Sequence, residues 1–200
     1  MLKLYFAPLT RSIRIRWLLE ELAVDHELIR TTFNADGTKG FAQDTPSGNF
    51  PYLEDGEVAL SESGAIVQYV LEKYGNGRLE PPARSHDRTA YLQWFHFSEG
   101  TAANPINTIV WLTVYRQDAV QHAAIINAVR DSANTVFEKV EVALEDRHFL
   151  AGNGLTAADI MMGFTLATAK WLGVLTDKHP RTIAYVDRLF ARPALQRSLA

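Results

Sequence analysis

The sequence predicts an α/β N-terminal domain over residues 1–78 and an all-α helical C-terminal domain over residues 86–200, with a linker at 79–85. Three observations carry this. Strand-like and helix-like hydrophobic periods alternate as far as Tyr74. The run Gly75-Asn76-Gly77-Arg78-Leu79-Glu80-Pro81-Pro82 is the strongest breaker cluster in the chain. After it, strand signals vanish. Charge divides at the same place: residues 1–80 hold eight basic and twelve acidic side chains, residues 81–200 twelve and eleven.

In the first part, Leu2–Phe6 reads as a short strand ended by Pro8. Ile15, Leu18, Leu19 and Leu22 follow the i, i+3, i+4, i+7 spacing of an amphipathic helix. Residues 26–32 read as a second strand, and a short helix is expected near 39–44. Residues 51–53 and 58–60 form two strands joined by Glu54-Asp55-Gly56-Glu57, whose Asp-Gly is a hairpin signal. Val67, Val70, Leu71 and Tyr74 mark a helix with Gly75 as its C-terminal cap. The order β-α-β then β-β-α is an α/β layered unit.

In the second part, Tyr91, Trp94 and Phe95, then Ile106, Ile109 and Val110, mark a long helix interrupted or bent near Asn104-Pro105. Ile126, Val129, Ala133, Val136, Val140 and Leu144 mark another. Residues 160–169 carry no charge and read as a central buried helix, with Thr156-Ala157-Ala158-Asp159 as its capping box. Ile183, Val186 and Leu189 predict a last long helix, ended by Pro193.

Composition excludes several function classes. The 200 residues contain no cysteine, so there is no disulfide framework, zinc–thiolate site or protein thiol nucleophile. A net charge of −3 disfavours nucleic acid or an anionic membrane as partner. No apolar run reaches the ~20 residues that span a bilayer, and residues 1–9 are too short for a signal peptide. A cytoplasmic soluble protein is expected. The six histidines, at 26, 86, 96, 122, 148 and 179, lack metal-ligand spacing, so no metal is expected. Walker, G-x-S-x-G and G-x-G-x-x-G motifs are absent.

Three places remain where chemistry can sit. Tyr5-Phe6-Ala7-Pro8-Leu9-Thr10-Arg11-Ser12 puts hydroxyls at a helix N-terminus, where open N–H groups and the helix dipole favour an anion; the same residues also suit plain capping. Glu62-Ser63-Gly64-Ala65 opens a second helix, with Ser63 as cap or anion donor and Glu62 able to hold an ammonium group. Phe50-Pro51 opens a strand, where proline belongs at an edge or start and a cis bond is possible.

Taken in order, these segments resemble the glutathione transferase family. "LYFAPLTRSIRIRWLLEEL" looks like its first strand and helix, in the branch common in bacteria and fungi that favours "SRS-x-R-x-x-W-L-L-E-E-L". "GNFPYLEDGEVALSESGAI" resembles its glutathione site, usually close to "GKVPVLEDGDLVLTESAAI", and "YLQWFHFSEG" and "LTAADIMMGF" match its helical domain. The resemblance covers essentially the whole chain. It implies a thioredoxin-like N-terminal domain, glutathione as co-substrate, a small electrophilic second substrate and a homodimer formed through residues 62–74 and 91–100. It further implies that Phe50 pairs its backbone with the cysteinyl part of glutathione, that Pro51 is cis, and that Glu62 and Ser63 hold the γ-glutamyl ammonium and carboxylate. Asn49 stands where the family often has lysine, so the glycyl carboxylate would turn to Lys39 or Arg11. Beta-class members use a cysteine and a His-Lys pair; this chain has no cysteine and Gly100-Thr101 at that position, so it is not expected to be beta class.

The chemistry the resemblance implies is activation of the glutathione thiol. A thiol with pKa near ~8.5 is mostly protonated at pH 7, and lowering it by two units takes about 2.7 kcal/mol. One hydroxyl hydrogen bond and a helix N-terminus supply that order of energy. Ser12 or Thr10 would give the hydroxyl in a serine-type enzyme, Tyr5 in a tyrosine-type one, and backbone N–H groups alone are the third option. The electrophile is expected in the cleft between domains, near Ile109, Trp111, Leu112 and Tyr115. Other readings are a glutathione-dependent peroxidase or disulfide reductase, and a non-catalytic binding module of the same fold.

Overall fold

Leu2, Leu4 and Phe6 are buried on one face of β1 (Leu2–Phe6), while Lys3 and Tyr5 lie on the other, partly exposed. The computed structural model describes residues 1–200 apart from 33, 35–39, 42, 43 and 117. β1 pairs parallel with β2 (His26–Arg30) and antiparallel with β3 (Tyr52–Asp55), which pairs antiparallel with β4 (Val58–Ser61). The sheet order is β2-β1-β3-β4. Glu54 and Asp55 belong to β3, so the hairpin loop is only Gly56-Glu57. Gly56 takes φ +65° at the first loop position, where a tight hairpin of this kind needs glycine.

α1 (Ser12–Leu22) and α2 (Ser63–Val70) pack against each other and onto the sheet. Leu4 and Leu53 from the strands meet Ile15, Leu18, Leu19, Ile66, Val67 and Val70 in one core, all fully buried. Each large aliphatic side chain removed from water contributes about 1.5–3 kcal/mol. α2 runs into a wider π turn, Leu71–Gly75, and the left-handed cap is Asn76 at φ +48°, not Gly75 as the sequence suggested. Asparagine tolerates this conformation because its side chain hydrogen-bonds locally. Asp55 ties this turn to the sheet: its Oδ2 accepts from Lys73 at 2.6 Å, Tyr69 at 2.9 Å and Tyr74 at 2.5 Å. Burial pushes the Asp55 carboxyl up, but those three donors pull it down to about 2.

The chain divides into two compact units, Met1–Glu80 with Ala191–Ala200, and Pro81–Phe190. Pro193 starts a further helix, α8, rather than ending the chain's last one: α7 (Pro180–Phe190) stops first, and Pro193 sits at the start of α8 (Pro193–Leu199), where its missing N–H costs nothing. α8 packs on α1 within the first unit. Arg192 binds Glu21 at 2.6 and 2.9 Å, Arg197 binds Glu20 at 2.6 Å, and Arg16 donates to the Ser198 carbonyl at 3.0 Å.

The second unit has helices and connecting turns but no strand among its described residues. α3 (Asp87–Phe97) and α4 (Ala103–Val110) are joined by a π stretch, Ser98–Ala102. Pro105 lies just beyond it; a proline removes one helical donor and crowds the carbonyl four residues back, and a wider turn there relieves both. A second π stretch, Trp111–Tyr115, ends α4. α6 (Ala157–Trp171) packs on α3, α4 and α7, and α5 (Ala123–Ala143) on α4 and α7. Ile160, Met161, Met162 and Leu166 of α6 are fully buried, as the uncharged run predicted. Asp159, also fully buried, accepts from Leu150 N–H at 2.9 Å, Thr156 N–H at 2.8 Å, Thr156 Oγ1 at 2.9 Å and Tyr185 Oη at 2.8 Å. No helix among the described residues is long and apolar enough to cross a membrane.

Two outcomes follow from these carboxylates. Asp55 has a folded-state pKa below its ordinary value, so its stabilisation is present above about pH 4 and is lost as pH falls towards about 2. Asp55→Asn should lower the melting temperature near neutral pH and show no deficit against the parent near pH 2, read by circular dichroism. Asp159→Ala leaves four buried donors without that acceptor, each worth ~1–3 kcal/mol. Its urea midpoint should fall by the equivalent of at least about 3 kcal/mol; a loss below about 1 kcal/mol would mean that water replaces the carboxylate.

Candidate active site: two helix starts and a cis-proline

The first helix start is closed by hydroxyls. Ser12 Oγ accepts the Ala7 N–H at 3.1 Å and lies 2.9 Å from the Ala7 carbonyl. Thr10 Oγ1 lies 2.8 Å from that same carbonyl and 2.6 Å from Ser12 Oγ, and it accepts the Ser12 N–H at 3.2 Å. Three oxygens thus form a triangle that holds two hydroxyl protons. Ser12 is fully buried, whereas Thr10 is half-buried. Between them and β1, Leu9 sits exposed at φ +60°, a conformation that costs a leucine of order 1–3 kcal/mol and that the surrounding bonds must hold. Arg11 is the half-buried N-cap residue of α1, and its carbonyl accepts the Arg14 N–H at 3.1 Å.

Tyr5 stands apart from this triangle. Its hydroxyl donates to Glu54 Oε1 at 3.1 Å and its ring packs edge-on against Tyr52. Desolvation and the Glu54 carboxylate both raise its pKa, so the phenol holds its proton towards Glu54.

The Phe50-Pro51 peptide is cis, as expected, and Pro51 is buried. The loop before it is a β-turn, Thr45-Pro46-Ser47-Gly48, in which Gly48 N–H donates to the Thr45 carbonyl at 2.9 Å. Thr45 Oγ1 then clamps Asn49 on both sides of its main chain, accepting its N–H at 3.0 Å and donating to its carbonyl at 2.7 Å. The Asn49 side chain donates back to the Ser47 carbonyl at 3.2 Å and the residue is exposed. Phe50 packs its ring against Phe41, centroids 4.9 Å apart. Thr45 was not singled out in the sequence; the Thr-Pro-x-Gly pattern was the available signal for this turn.

The second helix start follows β4. Glu62, exposed, is the N-cap residue of α2 with φ +68° and ψ 112°, like Leu9 a non-glycine residue at positive φ. Ser63 is the first residue of α2 and only 2% exposed. Ile66 N–H makes its bond to the Glu62 carbonyl at 3.0 Å, so the N–H groups of residues 63–65 precede the helical ladder. Arg14, 1% exposed, donates from Nη1 to Ser63 Oγ at 3.0 Å. Arginine at this position reads from sequence as one more polar residue of α1, and its burial had no signal in the local pattern.

Of the remaining predicted residues, Lys39 lies outside the described residues, as do residues 42 and 43 of the short helix expected near 39–44. Ile109 and Leu112 are buried in the second unit. Trp111 is 58% exposed, and Tyr115, half-buried, lies ring to ring with it at 6.1 Å.

Comparison with known proteins gives the chain a family. Residues 1–72 match the glutathione S-transferase N-terminal domain, and residues 103–193 the glutathione S-transferase C-terminal domain. Glutathione S-transferase 1 of Triticum aestivum is 28% identical over 207 residues, covering 94% of this chain and 89% of the wheat protein. The crystal structure of a glutathione S-transferase from Actinobacillus pleuropneumoniae superposes with a TM-score of 0.83 at 25% identity, over 99% of this chain and 91% of the other. A glutathione transferase homologue from Lodderomyces elongisporus, solved with two glutathione molecules per subunit, superposes with a TM-score of 0.84 at 22% identity, over 99% and 97%. The fold is therefore a thioredoxin-like N-terminal domain with a helical C-terminal domain, and the chain belongs to the glutathione S-transferase family.

Proposed function

We propose that the chain is a glutathione transferase that joins the thiolate of glutathione to a small hydrophobic electrophile, in a hydroxyl-type branch outside the beta class. Residues 1–78 serve as the glutathione domain, 79–85 as the linker and 86–200 as the helical domain, whose last helix α8 returns to the first unit. Phe50 takes the cysteinyl part of glutathione along its main chain as an added strand, shaped by cis-Pro51. Glu62 holds the γ-glutamyl ammonium and Ser63 its carboxylate. Asn49, with Arg11 and Lys39, meets the glycyl carboxylate. Trp111 and Tyr115 offer ring surface to the electrophile, with Ile109 and Leu112 packed behind them in the helical domain. The protein works in the cytoplasm as a homodimer built through residues 62–74 and 91–100.

The observation that carries the reaction is the triangle at the start of α1. Ala7 needs only one hydroxyl proton at its carbonyl, and two hydroxyls lie within reach of it. Ser12, fully buried, directs its one proton into the edge shared by that carbonyl and Thr10 Oγ1, which leaves the proton of half-buried Thr10 for the sulfur of glutathione. Thr10 Oγ1 meanwhile accepts the Ser12 N–H, and a hydroxyl that accepts becomes a stronger donor. Thr10 is thus the thiolate-binding hydroxyl, and Ser12 a positioning residue that holds it. Tyr5 is a weaker candidate, because its proton is directed to Glu54. The thiol proton leaves to solvent, so no general base is assigned.

Thr10→Ala should lower kcat at least tenfold with glutathione affinity within about twofold, and should raise the pKa of the bound thiol by about one unit, or about 1.4 kcal/mol. The thiolate absorbance near the ultraviolet edge, titrated against pH with glutathione bound, reads this directly. Thr10→Ser should keep most of the activity. Ser12→Ala should lower stability by ~1–3 kcal/mol, because it strips the buried Ala7 N–H of its acceptor. An unshifted thiol pKa in Thr10→Ala would move the role to Tyr5 or to main-chain N–H groups.

A further inference from the structure

We propose that Arg14 is a positioning residue for the γ-glutamyl carboxylate, acting by fixing the direction of the Ser63 hydroxyl; this rests on the glutathione reading above. Arg14 is buried to 1% exposure inside the first unit, and its Nη1 donates to Ser63 Oγ at 3.0 Å. A guanidinium has donors only, so on that edge Ser63 can only accept. The single hydroxyl proton of Ser63 must then point away from Arg14.

At the first position of α2, the groups around that proton are the N–H donors of residues 63–65, ahead of the ladder that begins at Ile66. An anion there meets a hydroxyl, main-chain N–H groups and the positive end of the helix, with the Glu62 carboxylate beside it at the N-cap for the ammonium of the same ligand. A serine without Arg14 could rotate its proton inward and turn a lone pair towards the anion, which would repel it. The same helix therefore carries the thiol-binding turn at its first residue and this support two residues later. One rigid element sets both ends of the glutathione site.

The alternative is that Arg14 merely ties α1 to α2. The two roles separate by ligand. Binding is measured by calorimetry for glutathione and for an analogue whose γ-glutamyl carboxylate is amidated, in the full-length protein and in Arg14→Met, Arg14→Lys, Ser63→Ala and the Arg14→Met/Ser63→Ala pair, with kcat and KM alongside. Arg14→Met should raise the Kd and KM for glutathione about tenfold, leave kcat within about twofold, and leave the affinity for the amidated analogue unchanged. On the Ser63→Ala background it should add less than about twofold, because the two residues act as one unit. Arg14→Lys should recover part of the loss. Equal weakening of both ligands, or a full tenfold effect on the Ser63→Ala background, would overturn the proposal. Should Arg14→Met not fold, Arg14→Lys with and without Ser63→Ala reads the same cycle. An unchanged protein that binds neither ligand overturns the glutathione reading and this proposal with it; binding that Arg14→Met leaves untouched overturns this proposal alone.

Discussion

Ser12 returns its hydroxyl to both polar groups of Ala7, five residues back, and that closure decides where α1 begins relative to the end of β1. Ala7 is fully buried, and its N–H and carbonyl lie past the last residue of β1. Unpaired in the interior, each would cost about 1–3 kcal/mol. One side chain satisfies both, so the turn has little freedom to slide. Thr10 is drawn into the same triangle, Leu9 is held at a positive φ, and Arg14 is brought to the place from which it reaches Ser63. The candidate groups are ordered because a buried main-chain requirement orders them first.

A second economy runs through the second unit: a carboxylate turned into the protein replaces what the local chain cannot supply. Asp159 satisfies N–H groups at residues 150 and 156 and the hydroxyl of Tyr185, joining a loop, a helix start and α7. Burial raises its pKa despite those donors, and it raises that of Tyr185 further. Glu141 does related work from α5, capping the start of α7 by accepting the Arg181 and Thr182 N–H groups at 3.0 and 2.9 Å. Its pKa lies below the ordinary value: burial raises it, and those N–H donors with the Thr182 hydroxyl lower it by more. The contrast between Asp159 and Glu141 is one of depth, since desolvation outweighs hydrogen bonding only where the group is wholly enclosed.

The parts of the fold legible in the sequence are those in which one local rule acts alone. The strand β1, the capping box at Thr156 and the uncharged run of α6 each follow from short-range chemistry and stand where expected; the Asp-Gly hairpin is there too, with a loop of two residues rather than the expected four. Pro193 was misread because a proline suits a helix start as well as a helix end, and the sequence around it does not separate the two. The π stretches at 71–75, 98–102 and 111–115 carry no pattern distinct from an ordinary helix, since one extra residue per turn barely shifts an apolar stripe. Gly75 drew attention as a cap, but the widened turn delays the helix end by one residue and gives the position to Asn76.

At the candidate site the limit is different. Ser12, Thr10, Pro51 and Ser63 were visible because hydroxyls at helix starts and a proline at a strand start are unusual enough to notice one by one. Arg14 and Thr45 act only through partners distant in sequence or folded back upon them: Ser63 lies 49 residues away from Arg14, and Thr45 matters for the main chain of Asn49. Such supporting residues have ordinary identities and unusual surroundings, so composition and spacing pass over them. Their burial is the informative quantity. A guanidinium is removed from water only where its partners repay the desolvation, and here a partner is a serine at the mouth of a helix.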